Sequence, residues 1–202
     1  MAAKSKSPAL DRRKVVTALL ADRGDLLVVA GLGAPAWDAT AAGDHPLSFP
    51  LWGGMGGAAS IGLGLALAQP KRRVLVLTGD GEMLMGLGSL ATIGVQRPRN
   101  LSVVVLDNEH YGETGMQPSH TRFGTDLAGV AKACGFVSAS KVTTLPEVVR
   151  LRGEIHQAGG PLFAQIKISP DKLPLVLPPR DGTELKNRFR EALLGAQAHH
   201  QR

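Results

Sequence analysis

Cysteine, aromatic residues and long apolar runs are scarce in this sequence. Its 202 residues include one cysteine, Cys134, and aromatic residues make up only 4%. A single cysteine excludes an internal disulfide bond, a cysteine-rich zinc site and an iron–sulfur cluster held by this chain alone. No apolar run reaches the roughly 18 residues that a transmembrane helix needs, and residues 1–8 lack the apolar segment of a signal peptide. These absences predict a cytoplasmic protein with no membrane partner.

A basic stripe is also missing from the body of the chain, although the net charge is +6. The excess lies at the two ends, because residues 1–14 carry +4, residues 180–202 carry +2, and the remaining acids and bases cancel. Surfaces that bind nucleic acid combine clustered Lys and Arg with aromatic side chains. We therefore expect no nucleic-acid partner.

Short apolar runs alternate with helical patterns along the whole chain. This alternation predicts an α/β fold, a single domain built on a doubly wound, mostly parallel sheet. We expect a disordered basic tail at residues 1–7, the domain at residues 8–179, and a C-terminal helix and tail at residues 180–202. The predicted strands are 26–30, 74–78, 101–106, 136–140 and 162–168. The predicted helices are 8–24, 58–69, 83–96, 125–134, 144–157 and 184–196. Ser7 is the predicted cap of the first helix, and a Thr144/Glu147 capping box starts the fifth.

Polar residues follow two neighbouring strands of the predicted sheet. Gly79-Asp80-Gly81-Glu82 comes after strand 74–78, and Asp107-Asn108 ends strand 101–106. Ligands of open α/β sheets bind beyond the carboxyl ends of the strands, which is where these side chains fall. Carboxylate and amide oxygens suit Mg²⁺ or Ca²⁺, and the free N–H groups of a helix starting after Gly81 suit a diphosphate. The pattern predicts a cation held together with a diphosphate.

Glycine-rich stretches lie upstream of that pair of motifs. Gly31-Leu32-Gly33 partly matches a dinucleotide-binding fingerprint, but the acidic residue expected about 20 positions later is absent, so we interpret it as a tight loop near a phosphate. Residues 53–57 contain four glycines around Met55, which lets backbone approach a ligand closely. The polar loop 109–124 is long for a connector, and this favours a lid or binding loop.

In combination, these motifs resemble the diphosphate-binding domain of thiamine diphosphate-dependent enzymes, over about residues 20–170. The resemblance implies that Mg²⁺ is held by Asp80, the side-chain oxygen of Asn108 and the backbone carbonyl of His110. It also implies that Gly53 and Met55 contact the pyrimidine ring, with the Met55 side chain bending the cofactor. The full set of implied cofactor contacts is Gly31, Gly33, Gly53, Met55, Gly79, Asp80, Gly81, Glu82, Asn108 and His110.

The same resemblance implies that half of the active site is missing from this chain. In the family, a glutamate on a separate pyrimidine-binding domain activates the cofactor, and a chain of this length holds only one of the two domains. We expect an obligate partner subunit that supplies this glutamate, in an α2β2 heterotetramer or larger assembly. Glu82, Glu109 and Glu113 are not assigned that role, because they lie on the phosphate and substrate side.

Within the family, the run Asp107–Gly115 most resembles the decarboxylases of sulfopyruvate and phosphonopyruvate. This similarity implies non-oxidative decarboxylation of a small 2-oxoacid to an aldehyde. His110, His120 and Arg122 are the candidate catalytic residues, as cations or donors for an anionic substrate tail. Three alternatives stay open: a carboligase of the acetolactate synthase type, the β subunit of a 2-oxoacid:ferredoxin oxidoreductase, and a non-catalytic regulatory subunit that binds the cofactor.

Overall fold

The architecture was derived from a computed structural model, which describes residues 9–157 and 159–199. The strands are β1 (Leu27–Ala30), β2 (Ser48–Pro50), β3 (Val74–Gly79), β4 (Leu101–Asp107), β5 (His110–Tyr111), β6 (Gln117–Pro118), β7 (Ser138–Val142) and β8 (Leu162–Lys167). Six of them form a parallel sheet in the order β2-β1-β3-β4-β8-β7, while β5 and β6 form a separate antiparallel hairpin. The predicted parallel sheet is confirmed.

Helices cover both faces of this sheet. They are α1 (Arg12–Leu20), α2 (Ala34–Ala41), α3 (Ala58–Ala68), α4 (Asp80–Met85), α5 (Gly88–Gln96), α6 (Leu127–Ala133), α7 (Leu145–Gln157) and α8 (Gly182–Leu194). Side chains alternate along each strand, so Leu27 and Val29 pack with α3, α5 and α6, while Val28 and Ala30 pack with α1, α2 and α7. The fold is therefore doubly wound, with an apolar core on each side.

The first helix starts later than the sequence pattern predicts. It begins at Arg12 rather than Pro8, because Asp11 is the N-cap and accepts a hydrogen bond of 2.9 Å from the backbone N–H of Lys14. Ser7, the predicted cap, and the tail predicted at residues 1–7 lie outside the described residues.

The helix predicted over residues 83–96 is wrong, because the structure contains two helices there, α4 and α5. They are separated at Gly86, whose backbone lies directly against the backbone of Gly56. A Cβ at position 86 would lie 2.1 Å from the Gly56 carbonyl oxygen, so no other residue fits this contact. The contact between Gly86 and Gly56 thus holds the glycine-rich stretch against the segment that carries Asp80.

Four of these strands and helices, α2, β2, β5 and β6, are absent from the sequence-based prediction, and one strand is displaced. The small residues of α2 show no apolar periodicity, β2 is only three residues long, and β5 and β6 have two residues each. The strand β7 starts two residues later than predicted, because Phe136 instead packs edge-on against Phe163, with ring centroids 5.9 Å apart. The capping box is confirmed, since the Glu147 carboxylate accepts the backbone N–H of Thr144 at 3.0 Å.

The C-terminal helix α8 packs on this domain. Its Phe189 contacts Phe49 of β2 at a centroid distance of 5.5 Å, and Arg188 forms a salt bridge with Asp44. Before α8, the carbonyl of Pro179 accepts a 2.7 Å hydrogen bond from the indole of Trp52, which lies in the glycine-rich stretch. Across the described residues, none of the helices has the length and apolar character needed to cross a membrane.

Candidate active site

The carboxyl ends of β1, β3 and β4 surround a cavity of about 210 Å³. Since β3 and β4 are neighbours and Gly79 pairs with Leu106, the two sequence motifs that follow these strands meet at one edge of the sheet. The cavity is lined by Arg12, Leu32, Ala34, Pro35, Met55, Gly79, Asp80, Gly81, Glu82, Leu106, Asn108, His110, Tyr111, Gly112, Glu113, Thr114 and Ile168.

Asp80 is the most constrained carboxylate of this cavity. It is only 2% exposed, and its Oδ2 accepts a hydrogen bond from the hydroxyl of Ser119 and lies 3.3 Å from the hydroxyl of Thr121. Burial raises the pKa of Asp80 to about 6, the Ser119 hydrogen bond lowers it, and the nearby Asp107 carboxylate raises it. A desolvated carboxylate held in one orientation is well suited to a metal ion, because the cation offsets the cost of burying its charge.

The other two predicted metal ligands line the same cavity. The Asn108 side-chain oxygen accepts the backbone N–H of His110 at 2.9 Å, which fixes the side chain and leaves a second lone pair. His110 lies opposite Pro118 in the hairpin, and a proline has no N–H to donate to the His110 carbonyl. Asp80, Asn108 and His110 thus present a set of hard oxygens that fits Mg²⁺, with further ligands left to phosphate and water.

Asp107 holds the long loop 109–124 in place. It is fully buried, and its carboxylate accepts hydrogen bonds from Thr121 at 2.7 Å, from Gln165 at 2.5 Å and from Lys167 at 2.6 Å. Thr121 also lies beside Asp80, which follows β3. Since Asp107 ends β4 and is bonded to two residues of β8, the loop is held at the ends of all three strands. The residue before Asn108 therefore orients the loop beside the predicted metal ligands without lining their cavity.

Glu82 is buried between the glycine-rich segments. Its carboxylate accepts a 2.7 Å hydrogen bond from Thr78, and a Cβ at position 31 would lie 1.8 Å from its Oε2. Burial raises the pKa of Glu82, while hydrogen bonds from Thr78 and from the backbone of Gly56 lower it. Gly31 therefore makes room for the Glu82 side chain, and its neighbours Leu32 and Ala34 line the cavity instead.

The remaining predicted cofactor contacts lie at the outer rim or outside the cavity. Met55 lines the cavity and is 39% exposed, and Gly81 lies under the ring of Tyr111, where an added Cβ would be 2.6 Å from the ring. Gly53 is exposed, and Gly33 lies beside the carboxylate of Glu113 with a positive φ of 81°. Gly31, Gly33 and Gly53 are therefore the three predicted contacts that do not line the cavity.

The three candidate catalytic residues belong to one loop, but they form two pairs. An Nη of Arg122 is 3.4 Å from Nε2 of His110, and Nδ1 of His120 is 3.3 Å from the Tyr111 hydroxyl. Arg122 lines a second cavity, of about 360 Å³, which shares Asn108 and His110 with the first. The cationic side chain of Arg122 is therefore available beside the predicted metal ligands.

Several residues of the site were missed by sequence reasoning. Ser119 and Thr121 donate to carboxylates 39 and 14 positions earlier in the chain, and Lys167 donates to one 60 positions earlier. Hydroxyl groups in a polar loop carry no pattern that identifies such distant partners. Arg12 was counted only as part of the basic N-terminal segment, although it lines the cavity.

Comparison with known proteins agrees with this geometry. Residues 34–166 match the family described as thiamine pyrophosphate enzyme, C-terminal TPP binding domain. The chain is 37% identical over 192 residues to the sulfopyruvate decarboxylase subunit beta of Methanothermobacter thermautotrophicus. The matched region covers 93% of this chain and 97% of that protein. The chain belongs to the thiamine diphosphate-dependent enzymes. The predicted family, its C-terminal cofactor-binding domain and the prediction of an enzyme are confirmed.

Two other similar proteins are longer than this chain. The phosphonopyruvate decarboxylase of Streptomyces viridochromogenes is 37% identical over 167 residues, which are 82% of this chain and 42% of that protein. The crystal structure of benzoylformate decarboxylase from Polynucleobacter necessarius superimposes with a TM-score of 0.70 at 21% identity, over 87% of this chain and 36% of that chain. That likeness shows a shared fold, and the chain spans about a third of the solved relative's length.

Proposed function

We propose that this chain is the diphosphate- and magnesium-binding subunit of a split decarboxylase of small 2-oxoacids that carry a sulfonate or phosphonate tail. One observation carries the proposal. A single cavity gathers Asp80, Asn108, His110 and Met55, in a chain that is similar over almost its full length to a decarboxylase β subunit. In this proposal the catalytic glutamate comes from a partner subunit that carries the pyrimidine-binding domain.

The proposed metal site uses Asp80 and the side-chain oxygen of Asn108, with the His110 carbonyl as the third protein ligand. Two of these groups are already oriented, Asp80 by Ser119 and Asn108 by the backbone of His110. Preoriented ligands lose little conformational entropy when they bind a metal, which favours a stable magnesium diphosphate site.

Thiamine diphosphate, when bound, supplies a nucleophilic carbon and an electron sink for the electrons that the departing CO₂ leaves behind. The chain's own contribution is to bind and orient. Met55 offers an apolar side chain at the rim of the cavity, and the Tyr111 ring covers Gly81 next to it. In the proposed complex these two side chains cover the diphosphate site from one side, and limiting water there would strengthen electrostatic interactions.

Glu82 and Glu109 are already engaged in other contacts, which supports a glutamate from a partner. Glu82 is bonded to Thr78, and Glu109 is bonded to Lys167 at 2.8 Å. Glu113 lies beside Gly33 on the phosphate side of the cavity. The name of the β-subunit relative itself implies a separate companion chain for that protein.

The proposed contacts for the substrate's anionic tail are His110, His120 and Arg122. An arginine offers a planar fork of N–H donors that matches a sulfonate or phosphonate, and Arg122 is exposed beside His110. Replacing Arg122 with Gln in the assembled complex is expected to raise KM for the tailed 2-oxoacids more than KM for pyruvate.

The cofactor part of the proposal is tested with the Asp80→Ala variant. Calorimetric titration of thiamine diphosphate in the presence of Mg²⁺ should show an affinity at least about 100-fold below that of the wild-type chain, because a metal ligand is removed. The matched control is Asp126→Ala, which removes an exposed aspartate that caps α6. Equal affinities for the wild type and Asp80→Ala would contradict the metal assignment.

The substrate part is tested with the complex that co-purifies with the chain. Sulfopyruvate, phosphonopyruvate and pyruvate are supplied separately, and release of CO₂ and of aldehyde is measured. We expect the tailed 2-oxoacids to be the best substrates. If the product is instead the condensation product of two 2-oxoacids, the carboligase alternative is correct and the decarboxylase proposal is wrong.

A further inference from the structure

Arg12 has no role in the site described above, although it is a buried cation that lines the cavity. It is 8% exposed, and its side chain lies at the first position of α1. The start of α1 is held against the end of β8, since Leu10 forms a parallel bridge with Ile168 and its carbonyl accepts the Ser169 N–H at 2.8 Å. Ile168 also lines the cavity, so this attachment directs α1 at the site.

Only one anion in the described residues lies close to the Arg12 guanidinium. This anion is Asp38, whose Oδ2 is 3.5 Å from the Nε of Arg12. Neither of these two atoms makes a hydrogen bond within the part of the chain that the structure describes. Asp38 is shared with a second arginine, because Arg13 donates to its Oδ1 at 3.3 Å. One buried carboxylate thus faces two guanidinium groups, so the cluster carries a net positive charge, and its member Arg12 lines the cavity.

The carboxylates that line the cavity form no ion pair with Arg12 among the described residues. No salt bridge within 4.0 Å joins Arg12 to Asp80, Glu82 or Glu113 among the described residues. A buried guanidinium without a full set of partners is costly, and its planar fork matches two oxygens of a phosphate group. An anion that enters the cavity would provide the missing hydrogen-bond acceptors.

We infer that Arg12 is a binding residue for the diphosphate group of the cofactor, held in position by Asp38. This inference rests on the proposed function and adds a cation to the site. The segment that carries Asp38 supports it, since Ala34 and Pro35 at the start of the same helix α2 line the cavity together with Gly79–Glu82. The diphosphate would then be contacted on one side by the predicted magnesium ligands and on the other by the guanidinium.

The test compares the full-length wild-type chain with Arg12→Gln, Arg12→Lys and Arg13→Gln. Arg13 is the matched control, because it contacts the same aspartate but is 25% exposed, does not line the cavity and donates to the carbonyl of Pro174 at 2.8 Å. Calorimetry measures binding of inorganic diphosphate with Mg²⁺, and of thiamine diphosphate with Mg²⁺. Thermal unfolding without ligand reports on each variant's fold.

Arg12→Gln is expected to weaken binding of both ligands by about 10- to 100-fold, the loss typical of a charge-assisted hydrogen bond. Arg12→Lys should give a smaller loss, because an ammonium keeps the charge without the fork. Arg13→Gln should bind like the wild type. If Arg12→Gln does not fold, Arg12→Lys decides, and wild-type affinity in that variant overturns the inference.

Four other outcomes also overturn it. Equal losses in the Arg12→Gln and Arg13→Gln variants would show that both act only through Asp38 and the fold. Unchanged diphosphate affinity with a raised KM for the 2-oxoacid in the assembled complex would assign Arg12 to the substrate's acid group instead. If the wild-type chain binds neither ligand, both the proposed function and the inference about Arg12 are wrong. If the wild-type chain binds both ligands and the Arg12 variants bind them equally well, only the inference about Arg12 is wrong.

Discussion

The two ends of the candidate site differ in how completely this chain builds them. At the diphosphate end, Asp80, Glu82 and Asp107 are at most 4% exposed and each has hydrogen-bond partners within the chain. At the opposite end, Met55 and Trp52 are 39% exposed on a loop in which Gly53 and Gly54 are also exposed. In the proposed function, the first region binds the magnesium diphosphate by itself, whereas the second is a surface that the partner subunit covers.

This difference matches the role proposed for each region. A magnesium diphosphate site needs ligands with fixed positions, which buried polar networks provide. A ring-binding surface at a subunit interface gains its contacts on assembly, so it has no need to be closed in the separate chain. Changes at the buried end should therefore alter the stability of the chain itself, and changes at the exposed end should alter only the complex.

The largest effect is expected where the two regions meet, at Gly86. Gly86→Ala places a Cβ 2.1 Å from the Gly56 carbonyl oxygen, and both partners are backbone. Separating them is expected to reduce the free energy of unfolding by about 2–3 kcal/mol. Chemical denaturation of the variant measures this loss.

Gly88→Ala is the matched control for Gly86→Ala. Position 88 lies two residues along the chain at the start of α5, and an added Cβ meets no atom within 4 Å. Stability should be unchanged or slightly higher, since alanine favours helix. Equal losses in both variants would mean that the contact between Gly56 and Gly86 does not join the two regions.

A smaller effect is expected inside the buried network, at Thr121. Thr121→Val removes the hydroxyl that donates to Asp107 at 2.7 Å and lies beside Asp80, while Ser119 still donates to Asp80. We expect a loss of about 1–2 kcal/mol in the free energy of unfolding. We also expect about 10-fold weaker Mg²⁺-dependent cofactor binding, as for other residues that orient metal ligands.

Thr92→Val provides the comparison for Thr121→Val. Thr92 is an exposed residue of α5, so its replacement should change neither stability nor cofactor binding. Denaturation and calorimetry on both variants distinguish the network from a general effect of replacing threonine. Wild-type cofactor affinity in Thr121→Val would show that the loop does not orient the metal site.

The smallest effect on stability is expected at Met55, in the exposed region. Because its side chain is 39% exposed, Met55→Ala should change the free energy of unfolding by no more than about 0.5 kcal/mol. Turnover in the assembled complex should nevertheless fall, since the apolar rim of the cavity is removed. A stability loss comparable to that of Gly86→Ala would contradict the distinction between the buried end and the exposed end of the site.

Local motifs predicted the fold, and they also predicted that Asp80 and Asn108 lie at one edge of the sheet, where both line one cavity. The residues around Asp80 and Asn108 could be located because each follows an apolar strand, and parallel strands bring their carboxyl ends to one edge of the sheet. Short elements such as β2 escaped detection, since three residues show no periodicity. The break at Gly86 was missed because it depends on a contact with Gly56, which is distant in the sequence.

The supporting residues of the site could not be predicted for a related reason. Asp107 meets Gln165 only because β4 pairs with β8, and Arg12 reaches the cavity only because α1 is attached to the end of β8. Such contacts depend on strand order and on where each helix crosses the sheet. A single sequence specifies these features physically but shows them in no local pattern.

The most direct test of the account is a comparison of the wild-type chain alone with the same chain in its co-purified complex, both saturated with thiamine diphosphate and Mg²⁺. Decarboxylation of sulfopyruvate and phosphonopyruvate is followed at matched concentrations of the chain. The account predicts that the chain alone binds the cofactor but has no turnover, and that the complex releases CO₂ and aldehyde. Full activity from the chain alone would contradict it, because the glutamate would then not need a partner.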